Sequence, residues 1–242
     1  MPFNLGDTFP DFACETDEGP ITSIHEWMED KWLLLFSHPA DFTPVCTTEL
    51  AMISKAGPHF AHLGVKLMAL SVDGAASHAD WKKDIQAVAN IPSIPFPIIA
   101  DEKRDLAVLL GMMDPEERDA QGMAVTCRAV FLVDHEKKVK FVMLYPATTG
   151  RSIEELYRVT ASIRLTSQHP LATPMNWTPY GDKVMVQPTL PLDEAKKRYP
   201  SITVKEVPSG KQYIRMVDMP EEYVLKNKVS ADVCNGKCPK KG

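Results

Sequence analysis

Cys46 is the side chain in this sequence best set to do chemistry, and it sits in the run WLLLFSHPADFTPVCTTEL from Trp32 to Leu50. Thr43-Pro44 has the signature of a helix start, a threonine at the N-cap and a proline at the first helical position, so Cys46 falls in the first turn. There the unpaired N–H groups and the positive end of the helix dipole favour an anion, which for a cysteine is the nucleophilic thiolate. If Thr43 caps the helix, its hydroxyl lies three residues from the sulfur and on the same side, able to bond whatever approaches. The competing reading is an inert buried thiol, a common state for free cysteine.

The element that must hold this turn is Trp32 to Phe36, a short apolar run with no polar face at helical spacing. It reads as a strand buried on both sides of a sheet. His38-Pro39-Ala40-Asp41-Phe42 cannot continue that strand. A strand-to-helix loop at the carboxyl end of a strand is where α/β sheets collect their ligands. Upstream, Leu5 to Ala13 and Ile21 to Ile24 read as extended pieces around a Glu18-Gly19-Pro20 turn. Downstream, Val65 to Val72 predicts a second buried strand and Ser77 to Ala89 an amphipathic helix with Trp81, Ile85 and Val88 on one face. A brief strand at Ile98-Ile99 and a helix over Asp105 to Leu110 follow. Val125 to Val133 and Val139 to Tyr145 predict a hairpin about the charged turn Asp134 to Lys138, and Ser152 to Leu165 a closing helix. Strands interleaved with helices and ending in a hairpin make an α/β domain of thioredoxin-like type over residues 1–168.

Prolines at 170 and 174 mark a change of character. The stretch 169–225 predicts a helix at Leu192 to Tyr199 and extended pieces at Thr203 to Val207 and Gln212 to Val217 around Pro208-Ser209-Gly210. About fifty residues is marginal for an independent core, so this small α+β domain should pack on the first domain or on a partner chain. Residues 226–242 form a polar tail carrying Cys234 and Cys238.

The 242 residues allow one large or two modest domains, and a hydrophobic fraction of 44% is enough for a packed core. A net charge of −5 argues against nucleic acid as a general partner. No segment has the apolar length of a membrane span, and MPFNLGDTFPDF lacks the pattern of a signal peptide. Five scattered cysteines read as free thiols in a reducing compartment, which predicts a cytoplasmic protein. The histidines show no metal-ligand spacing with one another or with a cysteine, so no metal is expected.

Arg128, within the apolar stretch Val125 to Val133, must find an anion or lie at a sheet edge, because an unpaired buried guanidinium is costly. A carboxylate and a thiolate are both suitable partners. Glu49 reads either as an arginine's partner or as a first-turn carboxylate favoured by the dipole. His38 reads as a loop histidine held by backbone or as a group tuning the cysteine, and Arg151 by itself as a solvated loop charge.

Pro39, Thr43 and Cys46 form the pattern P-x-x-x-T-x-x-C, and the longer run SHPADFTPVCTTEL resembles the one-cysteine peroxiredoxins of the peroxiredoxin-6 type. The similarity continues through FPIIAD, LAVLLGM, LYPATTGR, ATPMNW, GDKVMV and PSGKQYIR, leaving only the extreme C-terminus outside it. The resemblance implies a thiol peroxidase that reduces hydrogen peroxide and organic hydroperoxides through a sulfenic acid at Cys46, without haem, flavin or other cofactor. It implies an external thiol reductant, glutathione or thioredoxin-like, and a homodimer using the C-terminal domain. It also implies that Pro39, Thr43 and Arg128 serve Cys46, Arg128 holding the cysteine and the peroxide, and that His38, Glu49 and Arg151 line the pocket. In such a site Thr43, Arg128 and the first-turn N–H groups would act as donors to the departing oxygen.

A thioredoxin-type disulfide oxidoreductase would need a cysteine where Glu49 stands. A cysteine hydrolase would need His38 as its base, and a chaperone role would survive loss of Cys46. The phospholipase activity of some animal relatives is tied to a serine before the central tryptophan, where this chain has Lys31. The tail reads either as a bystander or as the source of a resolving thiol, Cys234 or Cys238, since two thiols on such an arm could reach a sulfenic acid at Cys46.

Overall fold

The computed structural model describes residues 3–230. The chain divides into two compact units, one up to Ile153 and one from Glu154 on. The sequence reading set its boundary at residue 168, fifteen positions later, so the closing helix belongs to the second unit by packing.

The first unit is built on a five-stranded sheet. Its strands are β1 (Trp32–Ser37), β2 (Val65–Ser71), β3 (Ile98–Ala100), β6 (Arg128–Val133) and β7 (Val139–Tyr145), in the order β3-β2-β1-β6-β7. As expected of an unbroken apolar run, β1 is buried along its whole length and lies at the centre. It pairs parallel with β2 and antiparallel with β6. Leu33 and Leu35 enter a core with Phe9, Ile24, Met28, Met68, Leu70 and Phe131. Alternation turns Leu34 and Phe36 to the opposite face, where Phe36 meets Phe96 edge to face at 5.3 Å. Each such side chain stabilises the fold by about 1.5–3 kcal/mol through burial, and Leu34→Ala would cost about 2–5 kcal/mol.

The helices of this unit are α1 (Ile24–Met28), α2 (Pro44–His62), α3 (Ala75–Ala89) and α4 (Asp105–Leu109). α1 begins at Ile24, the last residue of the piece expected to be extended over Ile21 to Ile24, and runs on through residues given no element. The Ser23 side chain accepts from the Glu26 amide at 3.1 Å, and Ser-x-x-Glu was the overlooked start signal. The expected strand Val125 to Val133 is two strands. β5 (Ala124–Thr126) pairs with β4 (Met113–Arg118) in a separate two-stranded sheet, and β6 joins the main sheet. The break falls at Cys127, whose amide donates to Met112 O at 2.8 Å. β4, reading MDPEER, has no apolar alternation to betray it.

The second unit contains α5 (Ile153–Gln168) and α6 (Leu192–Arg198). Its four-stranded sheet is made of β8 (Leu171–Ala172), β9 (Val184–Val186), β10 (Thr203–Val204) and β11 (Arg215–Val217), ordered β10-β11-β9-β8. β8 and β9 went unpredicted because two or three residues carry no readable period. The extended pieces expected at 203–207 and 212–217 pair only at Thr203–Val204 and Arg215–Val217.

Candidate active site

The register of β1 and β6 brings the site together. Phe36 is opposite Val130 in an antiparallel pair, so the first residue of β6, Arg128, stands level with the chain as it leaves β1 and turns toward α2. Ser37 fastens the two strands there, donating to Cys127 O at 2.6 Å and accepting from the Ala129 amide at 3.0 Å.

Thr43 is the N-cap residue of α2 and Pro44 follows it, as the sequence required. Cys46, the third helical residue, is fully buried with its thiol free. The first intrahelical bond runs from Thr47 N to Thr43 O at 3.0 Å, so the amides of Val45 and Cys46 have no intrahelical acceptor. The Thr43 hydroxyl departs from expectation. It makes no capping bond and donates instead to Ala40 O at 2.9 Å. Its single proton is therefore committed, and the hydroxyl offers a peroxide lone pairs to donate into, where a donor was expected.

Arg128 settles its two candidate anions by taking both. Nη1 lies 3.4 Å from Cys46 Sγ and 2.8 Å from Glu49 Oε2, while Nε and Nη2 donate to Ala147 O at 2.9 and 2.6 Å. Glu49 is shared. Arg151 reaches the same carboxylate through its amide at 2.6 Å, Nε at 3.0 Å and Nη2 at 2.8 Å. Arg151 is no solvated loop charge: its side chain is 1% exposed and its guanidinium lies over the Phe36 ring. Burial would raise the Glu49 carboxyl, but Arg151 and then Arg128 overcome it and hold the group below its ordinary range. Two guanidinium ions around one carboxylate leave one buried positive charge uncompensated beside the Cys46 sulfur.

The other cysteines lack this setting. Burial, with nearby carboxylates, pushes the Cys14 and Cys127 thiols up to about 11, so neither is a nucleophile near neutral pH.

Pro39 is buried in the turn after His38. His38 is fully buried, with Nε2 3.0 Å from Asp41 Oδ1 and Nδ1 without a partner. Asp41, Ser77 and His78 were not singled out from the sequence, yet they lock this loop in place. Among the described residues, donor atoms of His38, Asp41 and Asp73 lie within 4.8 Å of one another, a grouping that comparing histidines only with each other and with cysteines overlooked. The two Asp41 oxygens already accept from His38, His78 and Ser77, so a cation would have to displace those bonds. Cys234 and Cys238 lie outside the described residues.

The profile of the AhpC/TSA family matches residues 5–142, and that of the C-terminal domain of 1-Cys peroxiredoxin matches residues 162–201. Peroxiredoxin-6 of Rattus norvegicus is 51% identical over 220 residues, covering 89% of this chain and 97% of the relative. A cysteine-to-serine mutant of peroxiredoxin 6 from Arenicola marina superposes with a TM-score of 0.85 at 47% identity, covering 90% of this chain and 99% of that one. A yeast mitochondrial 1-Cys peroxiredoxin, solved to explain thiol resolution via glutathione and thioredoxin systems, does so with 0.78 at 37%, covering 89% and 99%. The chain belongs to the peroxiredoxins, the thiol-dependent peroxidases. Within them it is of the one-cysteine, peroxiredoxin-6 type, and the burial of Cys46 is consistent with a peroxide-reactive cysteine.

Proposed function

We propose that the enzyme reduces hydrogen peroxide and organic hydroperoxides by the following steps. The Cys46 thiolate attacks one peroxide oxygen, an S–O bond forms and the O–O bond breaks. The departing oxygen carries the bond's electron pair and leaves as water or an alcohol once protonated. Arg128 and the first-turn amides face the charge that grows on it, and Thr43 accepts the bond of the incoming O–H. The observation that carries this reading is the 3.4 Å approach of Arg128 Nη1 to Cys46 Sγ. An apolar groove of about 520 Å³ lined by Phe42, Thr43, Pro44, Trp81 and Val88 lies beside the first turn of α2 and supports acceptance of an organic tail.

Two external thiols then return the sulfenic acid to Cys46 thiol, forming one disulfide and one water. The thiol-resolving yeast relative supports a glutathione- or thioredoxin-like reductant. Intact mass after one equivalent of peroxide tests both halves: a gain of one oxygen confined to Cys46, removed by the reductant. No oxygen on Cys46 would overturn the reading.

The tail offers an internal route. Ser230 N donates to Glu154 Oε1 at 2.6 Å and Val229 N to Tyr180 Oη at 3.3 Å, which ties the root of the tail to the start of α5. From Ser230, Cys234 and Cys238 are within about 14 and 29 Å of extended chain. In this route the Cys234 or Cys238 thiol condenses with the sulfenic acid of the same or a neighbouring chain, releasing water, and the second thiol then displaces Cys46 from the mixed disulfide. Non-reducing peptide mapping after a peroxide pulse should find Cys46 bonded to one of them. Cys46 seen only as sulfenic or sulfinic acid would leave the external thiol as sole reductant.

The enzyme acts as a homodimer. β7 ends its sheet with seven residues and an exposed Leu144, and such an edge favours pairing with a second copy. Light scattering should give twice the 27.0 kDa chain mass. The free thiols of Cys14, Cys46 and Cys127 suit a reducing compartment, and the cytoplasm is the expected site.

A further inference from the structure

The loop from β1 to α2 is held by one carboxylate. Asp41 Oδ1 faces His38 Nε2 at 3.0 Å, and Oδ2 faces both His78 Nδ1 at 2.7 Å and Ser77 Oγ at 2.8 Å. The Asp41 amide donates to Asp73 Oδ2 at 2.8 Å. The His78 ring is held from behind, with Nε2 3.2 Å from Ile99 O. Asp41 is followed by Phe42 at φ 53°, a left-handed conformation that a bulky residue keeps only when its surroundings enforce it.

The hydrogen-bond partners assign the protons. An ionised carboxylate can only accept, so the His38 and His78 nitrogens and the Ser77 hydroxyl that face Asp41 supply the hydrogens of these bonds. Burial would raise the Asp41 carboxyl, but the bonds from His38 and His78 outweigh it and keep the group ionised, well below the ordinary carboxylate range. Facing that carboxylate, His38 Nε2 must carry the ring's hydrogen. Burial lowers the His38 pKa, so the ring is neutral and Nδ1 is left as a bare acceptor.

That acceptor is unusual in having no donor. His38 is fully buried and Nδ1 has no hydrogen-bond partner, whereas buried polar atoms are as a rule satisfied. The ring is also tied to the helix of Cys46. Trp81 packs against His38 with its ring tilted by 43°, 4.9 Å between centroids, and donates from Nε1 to the hydroxyl of Thr47, the residue after Cys46, at 3.1 Å. A small reactant bearing an O–H is the donor that such an acceptor suits.

We propose that Asp41 is a positioning residue of the peroxidase reaction, which, backed by His78 and Ser77, fixes the His38 tautomer so that Nδ1 accepts the second O–H of hydrogen peroxide, Thr43 taking the first. Asp41 touches no reacting atom and acts only through His38. The three-member arrangement follows the logic by which a buried carboxylate orients a catalytic imidazole.

Asp41→Asn in the full chain tests it, because one amide oxygen cannot accept from both histidines. The single-turnover rate with hydrogen peroxide should fall at least about tenfold. Alkylation of Cys46 by iodoacetamide, which brings no peroxide O–H, should stay within about twofold of wild type. An unchanged peroxide rate, or a parallel fall in both rates, would overturn the proposal; the second result would make Asp41 a support of the loop alone. Nitrogen-15 spectra of the wild-type imidazoles decide the matter even if the variant does not fold. A His38 ring protonated on Nε2 and bare on Nδ1 at neutral pH is expected, and the opposite tautomer would refute it.

Discussion

Arg128 has five donors and three partners, and the distances rank what each contributes. The bonds to Glu49 and Ala147 O are all 2.9 Å or shorter, against 3.4 Å to the sulfur. The guanidinium is thus fixed by carboxylate and carbonyl and presented to the sulfur, so its removal should change the reaction more than the fold. Arg128→Met should slow single turnover with hydrogen peroxide at least about tenfold, equivalent to ~1.4 kcal/mol of lost transition-state stabilisation. Stopped-flow rates that match wild type would make the arginine a structural partner of Glu49. The cysteines separate in the same experiment. Cys46→Ser should abolish peroxide consumption, while Cys14→Ser and Cys127→Ser retain most of it, since burial pushes both of those thiols up to about 11. Turnover by the Cys46 variant would remove that residue from the mechanism.

At the scale of elements, α2 is constrained at two points. Its N-terminus carries Cys46, and eleven residues on, roughly 16 Å along the axis, Gly57 meets the segment before β3. A Cβ at Gly57 would lie 2.8 Å from Pro95 Cγ, a clash that a proline ring cannot relieve by rotating away. Gly57→Ala should therefore destabilise the protein by about 1–3 kcal/mol, despite alanine's better helix propensity. The rate of folded enzyme with peroxide should be unaffected, because the first turn is held independently by the β1–β6 register and the Asp41 bonds. A thermal melt alongside a single-turnover rate checks both halves, and an unchanged melting temperature would mean that the loop yields.

For the whole molecule, the buried titrations set how stability responds to acid. Burial lowers the His38 pKa, so the unfolded chain takes up that proton first, and stability falls as pH drops below about 6.5. Asp41 and Glu49 are lowered by their partners despite burial. Their stabilisation is present above about pH 4 and is lost as pH falls below it. Asp101, raised by burial, works in the opposite sense. Urea unfolding at pH 7, 5.5 and 4 should show a decline from 7 to 5.5 and a steeper one beyond. A free energy that rose on acidification would contradict the charge states assigned to His38 and Asp41.

The sequence by itself determined what is carried by neighbouring residues. Trp32 to Phe36 announces a central strand because a sheet buried on both faces requires an unbroken apolar run, and Thr43-Pro44 announces the helix start because a threonine N-cap followed by proline suits a first turn. Cys46 follows from these two. Ser23 to Met28 was equally legible through its capping serine and glutamate. Tertiary structure decided whatever joins distant residues. Arg128 and Arg151 meet at Glu49 across 79 and 102 residues of chain; the apolar run around Arg128 says that it needs an anion but not which one, and nothing local to Arg151 distinguishes it from a surface charge. Asp41 reads as an ordinary loop aspartate until the fold brings His78 from 37 residues away to its second oxygen. The direction of the Thr43 proton is set closer to hand, by Ala40 O three residues before it. Hydrogen-bond partners are a property of packed geometry, which the order of residue types constrains without specifying.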